Sequence, residues 1–346
     1  MGLPRHTALL SLAWTFFCIS DASAVKRTVK ANPVKFLIVS APKQGKVSYM
    51  RIQHVSLRGD GRNGDAGEVE DLITSGLTHP QGLAVDELRQ QLLIADPGQK
   101  KILSFPMIVG DGTIRVGPYT VLASGPEARW VSIDAIGNVF FSDEPKNQIL
   151  KISRSQVLKG NSTPEVVYDG ASLAQVSAPG GIAIDSFHAY WVNKQVGSQV
   201  GSVVRAGETP DATSLESSVL PLARNTDKSY GVCLALNNVF FTQPETTLFG
   251  VKKTGGSVVP VSQRFTNPRG CVWDGDGTVY VADRGSNAVF SLAANMQELG
   301  EAQITRVADV EDAFGVAVFS GASRHAAALM IGIALLAQVV GAQLWQ

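Results

Sequence analysis

Apolar and polar positions alternate along this chain in short runs, and the runs come back at regular intervals. One unit recurs. A turn ending in Gly opens four or five alternating residues, a tight turn follows, and a second apolar run ends in a small or acidic residue. A polar turn and a third run complete the unit. Alternation of Val, Ile, Phe and Tyr between Gly, Asp and Asn turns predicts antiparallel strands. In one copy, His79-Pro80-Gln81-Gly82-Leu83-Ala84-Val85-Asp86 leads into Leu92-Leu93-Ile94-Ala95-Asp96. In another, Gly270-Cys271-Val272-Trp273-Asp274 leads into Val279-Tyr280-Val281-Ala282-Asp283.

Counted from Gly82, Trp130, Gly181, Gly231 and Gly270, the copies step by 48, 51, 50 and 39 residues. A sixth start, residues 315–319, lies 45 residues beyond Gly270 and breaks off. Residues 36–41 and 46–50 have the form of second and third strands with no first strand before them. Five whole repeats and two complementary fragments make six. A single four-stranded unit cannot bury both faces, so such units pack side by side and close on themselves. The expected fold is all-β: a six-bladed β-propeller over residues 25–319, its last blade closed by N- and C-terminal strands.

The composition suits this, with 45% apolar residues, 34 Gly and 16 Pro. A formal charge of zero gives no footprint for nucleic acid. The two ends carry a different message. Arg5, an apolar run over 7–19 and Ala22-Ser23-Ala24 form a secretory signal spanning 1–24, cleaved before Val25. Residues 326–345 are 20 without a charge, long enough to cross a bilayer. The small residues Ser320-Gly321-Ala322-Ser323 precede them, the pattern of a GPI signal in 320–346, with Ser320 or Gly321 as the attachment residue. The polar spacer is only about three residues, against about 8–12 in the usual signal. A retained membrane anchor is the alternative, although its basic flank Arg324-His325 would then lie outside. Either way the propeller is expected on the extracellular face of the plasma membrane, seated directly on it.

Cys18 leaves with the signal, so Cys233 and Cys271 remain in an oxidising compartment. Cys233 stands two residues after its opening Gly and Cys271 one, which points them to opposite faces of equivalent strands. That offset suits a disulfide stapling the fourth blade to the fifth; two buried free thiols are the other possibility.

"HPQGLAVD" with "LLIADPGQKKILSF", and "NPRGCVWDGDGTVYVADRGSNAVFSL", resemble the NHL repeat and, more distantly, the YWTD repeat of lipoprotein-receptor propellers. The resemblance spans about residues 34–319. Trp130 stands where the second repeat should open with Gly, and Ala235 where the fourth should carry Asp. Enzymes of similar fold, the lactonase and amidating-lyase families, place Glu, Asn, Asp or His metal ligands around the central channel. Here the residues before each start are Gln81, Arg129, Gly180, Tyr230, Arg269 and Phe314, with no acid or His among them. Gln81, Arg129, Tyr230, Arg269 and Phe314 are therefore the candidate binding residues at the channel mouth, suited to an anionic or aromatic group.

No H-E-x-x-H, G-x-S-x-G or phosphate-cradling Gly loop occurs. In Gly59-Asp60-Gly61-Arg62-Asn63-Gly64-Asp65, Arg62 occupies a ligand position of the calcium-loop spacing, so the segment predicts a solvated loop. His79 predicts a turn residue, and Asp96, Asp143 and Asp283 recur as structural turn residues. Asn161-Ser162-Thr163 is a glycosylation sequon, and a glycan there would mark its side as unsuited to binding. The expected function is a non-catalytic surface binding or adhesion module, monomeric, with no cofactor or metal and a protein or glycan ligand. The alternative is a metal-assisted, lactonase-like hydrolase or lyase using the channel.

Overall fold

Each repeat folds into an antiparallel sheet, and six such sheets form the ring. The computed structural model describes residues 34–52, 68–160, 162–195, 203–210, 215–224 and 228–321. The signal segment 1–24, Asn161, residues 59–65 and the apolar tail 326–345 lie outside the described residues. Among the described residues no helix is long and apolar enough to cross a membrane.

Blade I holds Leu83–Asp86, Gln91–Asp96, Lys101–Gly110 and Thr120–Ser124, with Thr113–Val116 added to its long third strand. Blade II holds Ala128–Ile133, Val139–Asp143, Gln148–Ile152 and Glu165–Asp169. Blade III holds Pro179–Ile184, His188–Asn193, Val203–Gly207 and Leu220–Ala223. Blade IV holds Val232–Ala235, Asn238–Thr242, Leu248–Lys252 and Val259–Ser262. Blade V holds Pro268–Trp273, Thr278–Asp283, Ala288–Ala293 and Thr305–Asp309. Blade VI is composite: Val316–Phe319 supplies the inner strand, and Lys35–Ala41, Lys46–Ile52 and Glu70–Ile73 the outer three. Phe36 pairs with Phe319 and Val39 with Val316. The two fragments thus form one blade, as the repeat arithmetic predicts.

Second strands are apolar on both faces because each blade is a wall between two cores. Phe140 packs toward blade III with Trp191 and Val204, while Phe141 packs toward blade I with Leu93 and Ala95. Six apolar clusters result, one per blade interface. Burial of these side chains, at roughly 25 cal/mol per Å² of apolar surface, is the main force closing the ring.

The inner strands meet at junctions that alternate in chemistry. Gly82, Gly181 and Gly270 donate their N–H groups to the carbonyls of Arg129, Tyr230 and Phe314 in the next blade, at 2.7–2.9 Å. At the other three junctions a hydroxyl does the work. Ser142, Thr242 and Ser40 donate to the carbonyls of Gly180, Arg269 and Gln81, at 2.6–2.7 Å. The backbones approach so closely that a side chain has no room: a Cβ on Gly231 would lie 2.1 Å from the Arg269 carbonyl oxygen. The Cys233–Cys271 disulfide forms here, with Cα atoms 5.6 Å apart, and ties the inner strands of blades IV and V.

Inner strands start at one face, here the mouth face, and end at the other, the far face. In blades I, II, III and V the far-face hairpin is capped by the Asp that ends or follows the inner strand. Asp134 accepts from the N–H groups of Ile136, Gly137 and Asn138, and Asp274 from those of Asp276, Gly277 and Thr278. Blade IV, with Ala235 instead, closes by the two-residue turn Leu236-Asn237 with Leu236 at φ 52°. At blade III, burial alone would raise the Asp185 carboxyl. Hydrogen bonds from the Phe187 N–H, Lys253, the His188 N–H and Tyr190 outweigh that and hold its pKa at about 2. Lys253 is in blade IV, 3.0 Å away, so this carboxylate also links two blades. A depressed folded pKa means stability that is present above the unfolded value and lost as pH falls. Asp185→Asn is expected to lower stability at neutral pH and to flatten its acid dependence between pH 3.8 and about 2, checked by urea unfolding across that window.

Candidate functional site at the channel mouth

The residue before each repeat start stands at the mouth end of an inner strand, where the blades converge, so side chains far apart in sequence are gathered there. Arg269 and Tyr230 come together, the guanidinium carbon 4.0 Å from the ring centre. Phe314 packs against Trp130 with ring centres 5.3 Å apart, and both are buried. Trp130 therefore occupies the opening position of blade II as an aromatic stopper beneath the mouth. Arg129 pairs with Glu127 at 2.8 Å and with Glu144 at 3.0 Å. Gln81 is buried rather than at the rim, and its carbonyl serves the junction with Ser40.

A second layer was not legible in advance. Glu144, Lys194 and Arg284 each follow the last residue of a second strand, directly after Asp143, Asn193 and Asp283. Lys194 pairs with Glu144 and lies 5.4 Å from the Tyr230 ring centre. Burial pushes the Lys194 ammonium pKa down, Glu144 opposes this, and Arg129 and Arg269 add to it. Arg284 pairs with Asp312 at 2.6 Å and lies 5.9 Å from the Phe314 ring centre. Beside it a shallow cavity of about 490 Å³ is lined by Lys43, Asn267, Arg284, Asn287, Glu311 and Asp312.

Arg129, Lys194 and Arg284 thus have carboxylate partners. Arg269 has none among the described residues. It is 8% exposed, and among the described residues its guanidinium makes one hydrogen bond, from Nη1 to the Pro268 carbonyl at 3.1 Å. Stacking on Tyr230 replaces part of its lost hydration, since a cation over an aromatic face is attracted by the ring quadrupole.

The recurring aspartates are structural at two positions. Asp96 accepts from the N–H groups of Thr78 and His79, and Asp283 from those of Thr266 and Asn267. At Asp143 the matching segment contains Pro126, which has no N–H to give, and both carboxylate oxygens are buried without a hydrogen bond. Lys146, 4.0 Å away, is the ion-pair partner. Among the described residues no three His, Cys, Asp or Glu side chains are grouped to hold a metal, and the arginines at the mouth do not fit one. Gly160 and Ser162, which flank the sequon Asn161, belong to the far-face connection between the third and fourth strands of blade II.

No protein-family description matches the sequence, and no curated protein matches it. Solved structures do match. A chain of the nidogen/laminin complex superposes with a TM-score of 0.62 at 12% identity, covering 83% of this chain and 99% of that one. The gluconolactonase XC5397 of Xanthomonas campestris gives 0.54 at 14% identity, over 80% of this chain and 89% of its own. A putative 6-phosphogluconolactonase of Bacteroides fragilis gives 0.55 at 12% identity, over 84% and 99%. The fold is an NHL/YWTD-like six-bladed β-propeller. Its structural neighbours include both a component of a binding complex and lactonases, so the propeller architecture alone does not choose between binding and catalysis.

Proposed function

We propose that this propeller is a non-catalytic binding module, held at the extracellular face of a membrane through its C-terminal segment, that takes an acidic group of a protein or glycan at its channel mouth. Arg269 carries the reading. A buried guanidinium that makes no ion pair among the described residues, stacked on Tyr230 and with Asp283 and Asp312 acting on it only from further off, is arranged to accept an incoming anion by charge-assisted hydrogen bonds. Lys194 and Arg284 stand near it with their charges offset by Glu144 and Asp312, which leaves Arg269 as the cation of this group without an ion pair among the described residues.

The test is an array of sialylated and sulfated glycans and acidic peptides, probed with the wild-type chain and with Arg269→Gln. Loss of one charge-assisted contact predicts about 10- to 100-fold weaker binding, falling further with added salt. Equal binding by both proteins would overturn the assignment of Arg269. Lactone hydrolysis by the purified chain, stimulated by Ca²⁺ or Zn²⁺, would overturn the non-catalytic reading in favour of the lactonase-like one.

A further inference from the structure

Turns between strands are ordinarily rich in Gly, Asn, Asp and Ser, because these residues tolerate the backbone and favour water. Four successive far-face hairpins of this ring break that rule in the same way. Blade I exposes Leu88 (80%), blade II Ile136 (62%), blade III Phe187 (76%) and blade IV Leu236 (52%). Leu236 does so at a positive φ of 52°, where a branched side chain is disfavoured. Single exposed apolar residues need no explanation. Here, however, the large apolar side chains exposed among the described residues lie in far-side hairpins, connections and strand starts or, for Ile108, toward the far end of the long third strand of blade I, and the mouth face carries none.

The far face is also where the described chain departs. Blade VI has no inner hairpin; after Phe319 its Ser320 N–H donates to the Glu87 carboxylate at 2.6 Å, in the hairpin that bears Leu88. The neighbouring hairpin on the other side, in blade V, is held by Lys35, whose ammonium reaches the Asp274 carbonyl at 2.8 Å and Asp276 at 2.7 Å. Five residues after Gly321 begins the uncharged run 326–345.

We propose that the far face is a lipid-contacting surface, with Leu88, Ile136, Phe187 and Leu236 inserted into the headgroup and acyl boundary of the membrane that holds the tail. This rests on the membrane-held reading given above. Side chains on short hairpins beside an anchoring segment reach the outer few ångströms of the apolar layer, the depth of about 5–10 Å that amphipathic surfaces occupy. The inner hairpins around the ring axis would meet the lipid, the connection between the outer strands of blade II that flanks Asn161 would stay at the edge of the contact, and the mouth would face away from the lipid, toward a partner.

The experiment uses the full chain purified from membranes of a secretory eukaryotic cell and reconstituted into phosphatidylcholine vesicles. Leu88→Cys, Ile136→Cys, Phe187→Cys and Leu236→Cys are made singly and labelled with a polarity-sensitive fluorophore. Lys146→Cys and Gln263→Cys, on the mouth face, serve as controls. With brominated lipid the four far-face labels are expected to lose about half or more of their emission, and the controls almost none. If the chain floats with the vesicles but the four labels behave like the controls, the membrane attachment stands and the lipid-contacting face is wrong. If the chain does not float, the attachment fails and this surface falls with it. Shielded labels that resist brominated lipid but cross-link between chains would assign the face to a second copy and overturn the proposal.

Discussion

Gly315→Val is expected to prevent ring closure. A Cβ at this position would sit 2.1 Å from the Gln81 carbonyl oxygen and 2.8 Å from the Ser40 hydroxyl. Both are fixed, because Ser40 donates to Gln81 and accepts from the Gly315 N–H at 2.8 Å. The junction can relieve the clash only by parting, and this is the one junction made between the two ends of the propeller sequence. Overpacking a tight site costs about 1–3 kcal/mol, occasionally more, and the loss of the junction bonds adds to that. A loss of at least about 3 kcal/mol in urea unfolding is expected on those grounds. Gly300→Ala, where a Cβ meets nothing within 4 Å, serves as the control and should change little. Wild-type stability in Gly315→Val would show that blade VI does not close the ring as described.

The second large effect concerns the disulfide. Cys233 and Cys271 are 38 residues apart, and closing a loop of that length in the unfolded chain is worth about 4 kcal/mol in the chain-entropy treatment. The paired variant Cys233→Ser with Cys271→Ser is expected to lose about that much, less whatever strain the bond imposes on the native state. Unfolding in denaturant, with and without reductant, checks it. Reductant should bring the wild type down to the variant and leave the variant unmoved. A wild type that responds to reductant no more than the variant would mean that the bond is absent or contributes nothing.

How far the sequence spoke depends on what set each feature. The six blades and the composite sixth follow from period and alternation, which are properties of the strands themselves. The cysteine pairing followed because an offset of one residue reverses a side chain's face. The departures from the repeat have local causes: Trp130 fills the mouth against Phe314, and Ala235 accompanies the tighter turn at Leu236. The second layer of the mouth was missed because Glu144, Lys194 and Arg284 are aimed by the turns after the second strands. Gln81 shows the reverse: its register suggested the rim, but close packing at the Ser40 junction draws it inside. The alternation of amide and hydroxyl junctions was also hidden, since Ser40, Ser142 and Thr242 looked like ordinary small residues at strand ends.

Blade VI has a mechanical consequence. The inner strand Val316–Phe319 lies antiparallel to Lys35–Ala41, and the chain continues from its far-face end. A pull on the segment beyond Gly321, directed away from the far face, runs along the strand axis. Such a load shears the four paired positions of that strand together instead of peeling them one after another. The junction bonds at Gly315 and Phe314 stand at the strand's upstream end and share the same force. The clasp that completes the ring is therefore oriented to resist tension arriving through the segment that follows it, and to fail only when the whole strand slides at once.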